Sequence, residues 1–267
     1  MKSKFTQVKN NTKIFCIICF ISVLILLWSL SYNNIIEKFD NKQNLLNQIF
    51  DKIYVINLNQ DIEKKNIIDK KLKELNIDYS IFEAVDGKKL KNIKLLNYGS
   101  VGAVGCRLSH MKILEDAVKN NYNRILVFED DIIFRKDFNK HLEQQYLTIK
   151  NNNVDWKLLY LGCSYHVLPK NIKNNVDYVE TMGNTSGAFA VGIHKDIYNV
   201  ILNHIKNTNK VYDDILAQNI QPNYKSIVFN PQIVSVIVSN KSSTDNKIRN
   251  QKKYMEGNLL NIDDFNL

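Results

Sequence analysis

Three successive carboxylates, Glu129, Asp130 and Asp131, directly follow a short and almost wholly apolar segment at residues 124–128. This composition predicts a buried strand, and α/β proteins bind ligands beyond the carboxyl ends of such strands. Adjacent carboxylates repel one another, so a cation or hydrogen-bond donors must hold at least one of them charged. A hard divalent ion shared with phosphate oxygens meets that need and indicates a site for a nucleotide diphosphate. A solvated acidic turn that caps the next helix is the alternative, and the cluster alone does not decide between the two.

Three of the nine glycines are clustered at Gly99, Gly102 and Gly105, immediately before a segment with helical spacing. Glycines that precede a helix let the backbone approach a phosphate or sugar closely. The spacing differs from the dinucleotide GxGxxG fingerprint, and the Lys-Ser/Thr pair of a P-loop is missing. His110 follows in the same segment, where a histidine is more often satisfied by a neighbour than used as a ligand. Taken alone, this segment is only a weak indication of a ligand site.

An ordered set of short motifs between residues 52 and 247 resembles glycosyltransferase family 25, which contains lipooligosaccharide and collagen-modifying galactosyltransferases. The motifs are VINL at 55–58, AVDG at 84–87, GxxGCxLSH at 102–110, FEDD at 128–131, YLG at 160–162, SGAFAV at 186–191, YDDxL at 212–216, Pro231, and STD at 243–245. The resemblance implies a GT-A-like nucleotide-sugar-binding fold, a UDP-sugar donor, a divalent cation (Mn²⁺ or Mg²⁺) and inversion at the anomeric carbon.

The resemblance also implies which residues hold the nucleotide and its metal ion. Asp131 matches a metal ligand, with Glu129 as a second ligand. Either Glu129 or Asp130 is implied to hold the ribose or a second metal position. The base and ribose are expected to pack where the first strand ends, at Asn57 and Leu58.

A further set of implied residues surrounds the sugar and the acceptor. Inverting transfer needs a general base that takes the proton from the acceptor hydroxyl. Asp213 or Asp214, at the start of a predicted helix, matches that role, and one of the two is expected to cap the helix. Donor contacts are implied for the backbone at Ser186 and Gly187 and for Gly102 and Gly105 of the glycine-rich segment. For His110 the resemblance implies one of two roles, a contact with the donor or organisation of the metal site.

One segment departs from the family pattern. The family usually has arginines soon after its Ile-Asn-Leu motif, whereas this chain has Lys64 and Lys65. A lysine supplies a point charge without the planar fork of arginine, so its contact with a diphosphate is less specific in geometry.

The elements that must position these residues alternate between strands and helices. Strands are predicted at 52–58, 79–85, 124–128, 157–161 and 187–193, with two more within 227–238 that are divided by Asn230-Pro231. Helices are predicted around 62–76, after Gly105 to about 118, and around 196–205 and 213–220. This alternation predicts an α/β fold with a central, mostly parallel sheet.

The N-terminus has the pattern of a membrane anchor. Residues 14–32 contain no charge. This segment is about as long as an apolar helix that crosses a bilayer. Lysines precede the segment and none follows closely, which predicts a single-pass type II protein with a lumenal or extracytoplasmic domain. A cleaved signal peptide is the alternative, and its cleavage would fall around residues 29–31.

The chain is therefore divided as a basic cytoplasmic tail (1–13), a signal-anchor (14–32), a stem (33–50), a glycosyltransferase domain (51–250) and a C-terminal tail (251–267).

The net charge of +9 does not predict nucleic-acid binding. Four lysines in the first 13 residues account for part of it, and only four of the 36 basic residues are arginine. Readers of DNA sequence depend on bidentate arginine contacts. Cys106 and Cys163 are the only cysteines beyond the anchor, and neither lies in a zinc-binding spacing.

These observations together predict a membrane-anchored inverting glycosyltransferase. It would transfer galactose or glucose from a UDP-sugar to a glycan, a glycolipid or a hydroxylysine-containing protein. A metal-dependent phosphohydrolase that uses the same acidic cluster is one alternative. A sugar- or nucleotide-binding module of the same fold without catalysis is the other.

Overall fold

The computed structural model of the 267-residue chain describes residues 43–91, 100–165, 176–181, 183, 185–237, 250–258 and 260–266, together with Ser22. Apart from Ser22, the predicted anchor at 14–32 lies outside these residues. None of the helices in the described ranges is both long enough and apolar enough to cross a bilayer. Residues from Asn44 onward form one folded unit.

The described chain contains eleven strands and seven α-helices. The strands are β1 (Lys52–Asn57), β2 (Ser80–Glu83), β3 (Arg124–Glu129), β4 (Ile132–Phe134), β5 (Leu158–Tyr160), β6 (Ser164–Tyr165), β7 (Tyr178–Glu180), β8 (Thr185–Ser186), β9 (Ala190–His194), β10 (Ser226–Phe229) and β11 (Val234–Val236). The helices are α1 (Leu45–Ile49), α2 (Ile62–Glu74), α3 (Val101–Lys119), α4 (Phe138–Asn151), α5 (Tyr198–Asn207), α6 (Tyr212–Ile215), which continues as a π-helical turn (Leu216–Ile220), and α7 (Gln251–Gly257).

Seven strands form the central sheet in the order β2-β1-β3-β9-β5-β10-β7. Strands β2, β1, β3, β5 and β10 run in one direction, whereas β9 and β7 run against them. The predicted α/β class with a largely parallel sheet is therefore confirmed. The reversed β9, which lies between β3 and β5, was not predicted.

Helices cover both faces of this sheet. Successive residues of β3 point to opposite faces, so Leu126 packs with α1, α2 and α4, and Val127 packs with α3, α5 and α6. Four consecutive residues of β3 are buried, which explains the continuous apolar segment before the carboxylates. The strand that carries the acidic cluster thus runs through the centre of the molecule.

Helix α3 begins earlier than the sequence indicates. The side-chain oxygen of Ser100 accepts a hydrogen bond of 3.2 Å from the Ala103 amide and caps the helix at Val101. Gly102 and Gly105 are therefore helical residues and not part of a loop. Gly99 lies outside the described residues.

The folded unit extends beyond both ends of the glycosyltransferase domain predicted from the sequence (51–250). Leu46, Ile49 and Phe50, placed in the stem, are buried in the core because α1 packs against the sheet layer. Met255 and Phe265, placed in the C-terminal tail, pack with Ile133 of β4 in a separate apolar cluster. Residues 44–50 and much of 251–266 thus belong to the folded unit.

Candidate active site

An open cleft lies where β1, β2 and β3 end, beside the first turns of α3. This is the edge at which α/β sheets bind ligands. The lining residues are Ile56, Leu58, Gln60, Asp61, Ala84, Val85, Asp86, Gly87, Lys88, Gly102, Cys106, Ser109, Glu129 and Asp130. Four of the residues predicted from the sequence, Leu58, Gly102, Glu129 and Asp130, therefore line the same cleft.

The Asp130 carboxylate is held by two neighbours on adjacent elements. The parallel register pairs Ile56 of β1 with Glu129 of β3, so the next residues, Asn57 and Asp130, lie side by side. The Asn57 side-chain amide donates a hydrogen bond of 2.7 Å to Asp130, and Lys64 Nζ lies 3.3 Å from its other oxygen. Burial raises the pKa of the Asp130 carboxyl, and these two contacts oppose that shift. Lys64 is thus in contact with the acidic cluster.

Asp131 has a different environment. Its Oδ1 atom is buried and accepts no hydrogen bond from any described residue. Burial raises the pKa of the Asp131 carboxyl to about 6, with an added contribution from Asp130. A buried carboxylate oxygen without a donor is costly unless a cation binds it. The residues present therefore fit a divalent ion at Asp131.

Glu129 points toward two residues of α3. Side-chain ligand atoms of Glu129, Cys106 and His110 all lie within 4.8 Å of one another. Burial, together with the charges of Asp131 and Asp213, raises the pKa of the Glu129 carboxyl.

His110 lies beneath the cleft and is almost completely buried. Its ring stacks on Tyr212 with the centroids 4.0 Å apart and the planes 12° apart. Burial lowers the pKa of His110 to about 3, so the imidazole is neutral near pH 7.

Asp213 lies next to the turn between β8 and β9, on one side of the acidic cluster. The amides of Gly187 and Ala188 donate hydrogen bonds of 3.2 and 3.1 Å to its two oxygens. Gly187 has φ +81, a conformation that favours glycine, and an added Cβ would lie 2.8 Å from the Phe189 ring. The turn reaches the cluster because the amide of Glu129 donates a hydrogen bond of 2.9 Å to the Phe189 carbonyl.

The two aspartates of the YDD motif therefore differ. The charge of Asp213 contributes to the raised pKa of the Glu129 carboxyl, so Asp213 lies near Glu129. Asp214 is half-buried in α6 and makes no such contribution. Ser186 is buried in β8, where it pairs with Ser164 of β6, and does not line the cleft.

Gly105 serves the packing of α3 and does not line the cleft. A Cβ at this position would lie 2.3 Å from the Val85 carbonyl oxygen and 2.8 Å from the Gly87 amide. Ser109, one turn further along, accepts a hydrogen bond of 2.8 Å from the Val85 amide. The glycine therefore lets α3 approach the loop after β2, which carries part of the cleft.

Several residues of the site were not predicted from the sequence. Gln60, Asp61 and Asp86 line the cleft, and only a fold could place them there. Cys106 was not predicted either, and it lies four residues before the predicted His110, a spacing that puts both side chains on one face of a helix. That spacing was a usable signal.

Comparison with known proteins gives a consistent family match. A model described as "Glycosyltransferase family 25 (LPS biosynthesis protein)" matches residues 50–255. Procollagen galactosyltransferase 2 of Homo sapiens is 31% identical over 147 residues, which are 49% of this chain and 23% of that protein. Inactive glycosyltransferase 25 family member 3 of Homo sapiens is 32% identical over 129 residues, which are 42% of this chain and 22% of that protein. The alignments thus span less than a quarter of either relative.

The solved structure of a glycosyltransferase involved in the glycosylation of the major capsid of PBCV-1 overlaps this chain with a TM-score of 0.39 at 10% identity. The overlap covers 64% of this chain and 75% of the other. This degree of structural similarity does not indicate a function.

Proposed function

The chain belongs to glycosyltransferase family 25, and we propose that it transfers a hexose from a UDP-sugar to an acceptor hydroxyl with inversion. The observation that carries the proposal is the buried, unpartnered oxygen of Asp131 beside an open cleft at the strand ends. A divalent ion at Asp131 with a nucleotide diphosphate in the cleft would occupy both. Galactose and glucose are the two donor sugars that the proposal includes.

The UDP moiety is proposed to lie in the cleft. Leu58 supplies an apolar surface for the base, and Gly102 lets the first turn of α3 approach the ligand. Lys64 and Asn57 fix the Asp130 carboxylate, which leaves it able to accept a hydrogen bond from a ribose hydroxyl. Lys88 at the rim adds positive charge for the phosphates.

A divalent ion, Mn²⁺ or Mg²⁺, fits Asp131, with Glu129 as the predicted second ligand. When bound, such an ion supplies charge stabilisation for the leaving diphosphate. The role of the chain is to hold these carboxylates at the end of β3, where burial keeps competing water away.

Asp213 is proposed as the general base. As the acceptor oxygen bonds to the anomeric carbon, the bond from that carbon to the diphosphate oxygen breaks, and the acceptor proton passes to the Asp213 carboxylate. The amides of Gly187 and Ala188 donate hydrogen bonds to its two oxygens, which supports the carboxylate form that a base needs. These bonds also fix its orientation.

The acceptor is proposed to be a glycan, a glycolipid or a hydroxylysine-containing protein. Anchoring of a lumenal or extracytoplasmic catalytic domain by the apolar segment at 14–32 is part of the same proposal, since enzymes that modify surface glycans need access to them.

UDP release tests the proposal. The full chain is incubated with UDP-galactose or UDP-glucose, Mn²⁺ and a panel of acceptors, beside Asp131→Asn. We expect the variant to lose about 100-fold or more of the activity, since it lacks the carboxylate that binds the ion. Asp155→Asn removes an exposed carboxylate and serves as the matched control. Undiminished activity of Asp131→Asn would contradict the metal role.

A binding module without catalysis is a second candidate, because a relative of similar identity is named inactive. Calorimetry that detects UDP-sugar binding without UDP release across the acceptor panel would favour it. No observation in the described part of the chain favours a phosphohydrolase. There, Cys106, His110 and Glu129 are the one cluster with metal-ligand spacing.

A further inference from the structure

Cys106 and His110 lie one helical turn apart on α3 and face Glu129 at the end of β3. Their ligand atoms, a thiol sulfur, an imidazole nitrogen and a carboxylate oxygen, lie within 4.8 Å of one another. Three protein ligands that converge from a helix and a strand form a common type of metal site. Cys106 is not in a disulfide.

His110 gives an independent indication that something binds here. The residue is 1% exposed, and neither Nδ1 nor Nε2 has a hydrogen-bond partner among the described residues. Leaving a buried polar side chain unpaired is costly, so such side chains are nearly always satisfied in folded proteins. The stacked Tyr212 ring covers a face of the imidazole, and the nitrogens lie at its edge.

We propose that Cys106, His110 and Glu129 bind one Zn²⁺ ion between α3 and β3, beneath the cleft. Sulfur and nitrogen ligands select zinc or a similar transition metal, whereas Mn²⁺ and Mg²⁺ prefer oxygen ligands. On binding, the sulfur–zinc bond forms as the thiol loses its proton to solvent. The thiolate and the carboxylate then balance the two charges of the ion.

Cys106 and Glu129 both line the cleft, so the proposed ion would lie next to it. Water or a ligand group would complete the coordination there. The site also joins the two elements that form the floor of the cleft, so the ion would stabilise their packing.

This inference goes beyond glycosyl transfer and does not depend on it. Glu129 has two carboxylate oxygens, so it can contribute one to Zn²⁺ and the other to the ion at Asp131. The two proposals are separated by their readouts, since one is tested by metal spectroscopy and the other by UDP release.

The test is cobalt substitution in the full chain. We expect the metal-free protein to bind Co²⁺ with an intense thiolate-to-metal charge-transfer band in the near ultraviolet, which reports the site with Cys106 and not the ion at Asp131. Zn²⁺ should displace it and should raise the melting temperature of the metal-free protein. Cys163→Ser, which removes the other cysteine of the described chain, should keep the band, and so should Asp131→Asn.

Cys106→Ser should abolish the band, and Glu129→Gln should weaken Co²⁺ binding at least tenfold. Circular dichroism establishes that the variants are folded. If Cys106→Ser does not fold, the wild-type titration still decides the matter. A protein that binds Co²⁺ without the band, keeps the band in Cys106→Ser, or shows no melting shift with Zn²⁺ would overturn the proposal.

Discussion

Glu129, Asp130 and Asp131 are adjacent in the chain, yet each has a different partner. Asp130 is fixed by Asn57 and Lys64, Glu129 faces the helix α3, and Asp131 keeps a buried oxygen that no described residue satisfies. Burial raises the pKa of all three carboxyls, and neighbouring carboxylates of the cluster add to the shift at Glu129 and Asp131. The cluster is therefore arranged to bind positive charge, and a solvated acidic turn does not account for it.

Asp213→Asn tests the assignment of the base. We expect kcat to fall about 10²- to 10⁴-fold with little change in the donor KM, because the variant cannot accept the acceptor proton. The NH₂ group of asparagine cannot accept a hydrogen bond, so one of the two backbone amides loses its acceptor, at a cost of about 1–3 kcal/mol of unfolding free energy. Steady-state kinetics and urea denaturation measure the two effects.

Asp214→Asn is the matched control, in which kcat should change only a few-fold. A large loss of kcat in Asp214→Asn with near-normal Asp213→Asn would reverse the assignment.

At the scale of elements, the packing of α3 shapes the cleft. The helix approaches the loop after β2 through Gly105 and Ser109 and lies against the cluster through Cys106. Arg107 donates hydrogen bonds to the carbonyls of Thr208 (2.8 Å) and Lys210 (3.0 Å), just before α6. One helix therefore fixes both one wall of the cleft and the segment that leads to Asp213.

Gly105→Ala tests this packing. Alanine is the better helix former by about 1 kcal/mol, yet its Cβ would overlap the Val85 carbonyl. We expect a net loss of about 1–3 kcal/mol in unfolding free energy and weaker UDP binding, since the loop must move. Chemical denaturation and calorimetry measure the two effects.

Lys112→Ala, at an exposed position of the same helix, should stay within about 0.5 kcal/mol of wild type. Equal stability of Gly105→Ala and wild type would show that the contact is not tight.

The sequence predicts most of the elements but not how they are joined. Apolar β-branched segments locate β1, β3 and β10 within a few residues, because local composition determines buried strands. The reversed β9 beside β3 depends on pairing across about 60 residues, for which no local pattern exists. The start of α3 was missed because the Ser100 cap outweighs the low helix propensity of two glycines.

At the scale of the whole molecule, the C-terminal segment is part of the fold. Met255, Leu260 and Phe265 are buried against Ile133, and Arg135 lies 3.0 Å from Asp264. The Tyr254 hydroxyl lies 2.6 Å from Ser164 Oγ, so the segment also contacts β6. This packing supports the β3–β4 turn that carries Asp131.

Met255→Ala tests the contribution of this segment. Truncation of a fully buried methionine is expected to cost about 2–5 kcal/mol of unfolding free energy. Lys253→Ala, at an exposed position of the same helix, is the control and should change little. A loss below 0.5 kcal/mol in Met255→Ala would mean that the segment is dispensable for stability.

The candidate site was only partly predictable from the sequence, because local patterns do not encode tertiary contacts. The motifs name Asp131, Asp213 and the residues at the end of β1, and the fold brings them to one edge of the sheet. Gln60 and Asp86 line the cleft, and Cys106 lies close to Glu129. Both arrangements depend on tertiary contacts, which short motifs do not encode.

A crystal structure of the protein with UDP and Mn²⁺ tests the central claim most directly. We predict UDP in the cleft between Leu58 and Gly102, with its diphosphate at the carboxyl end of β3 and the ion bound to Asp131. UDP bound away from the end of β3, or an ion that does not contact Asp131, would contradict the account.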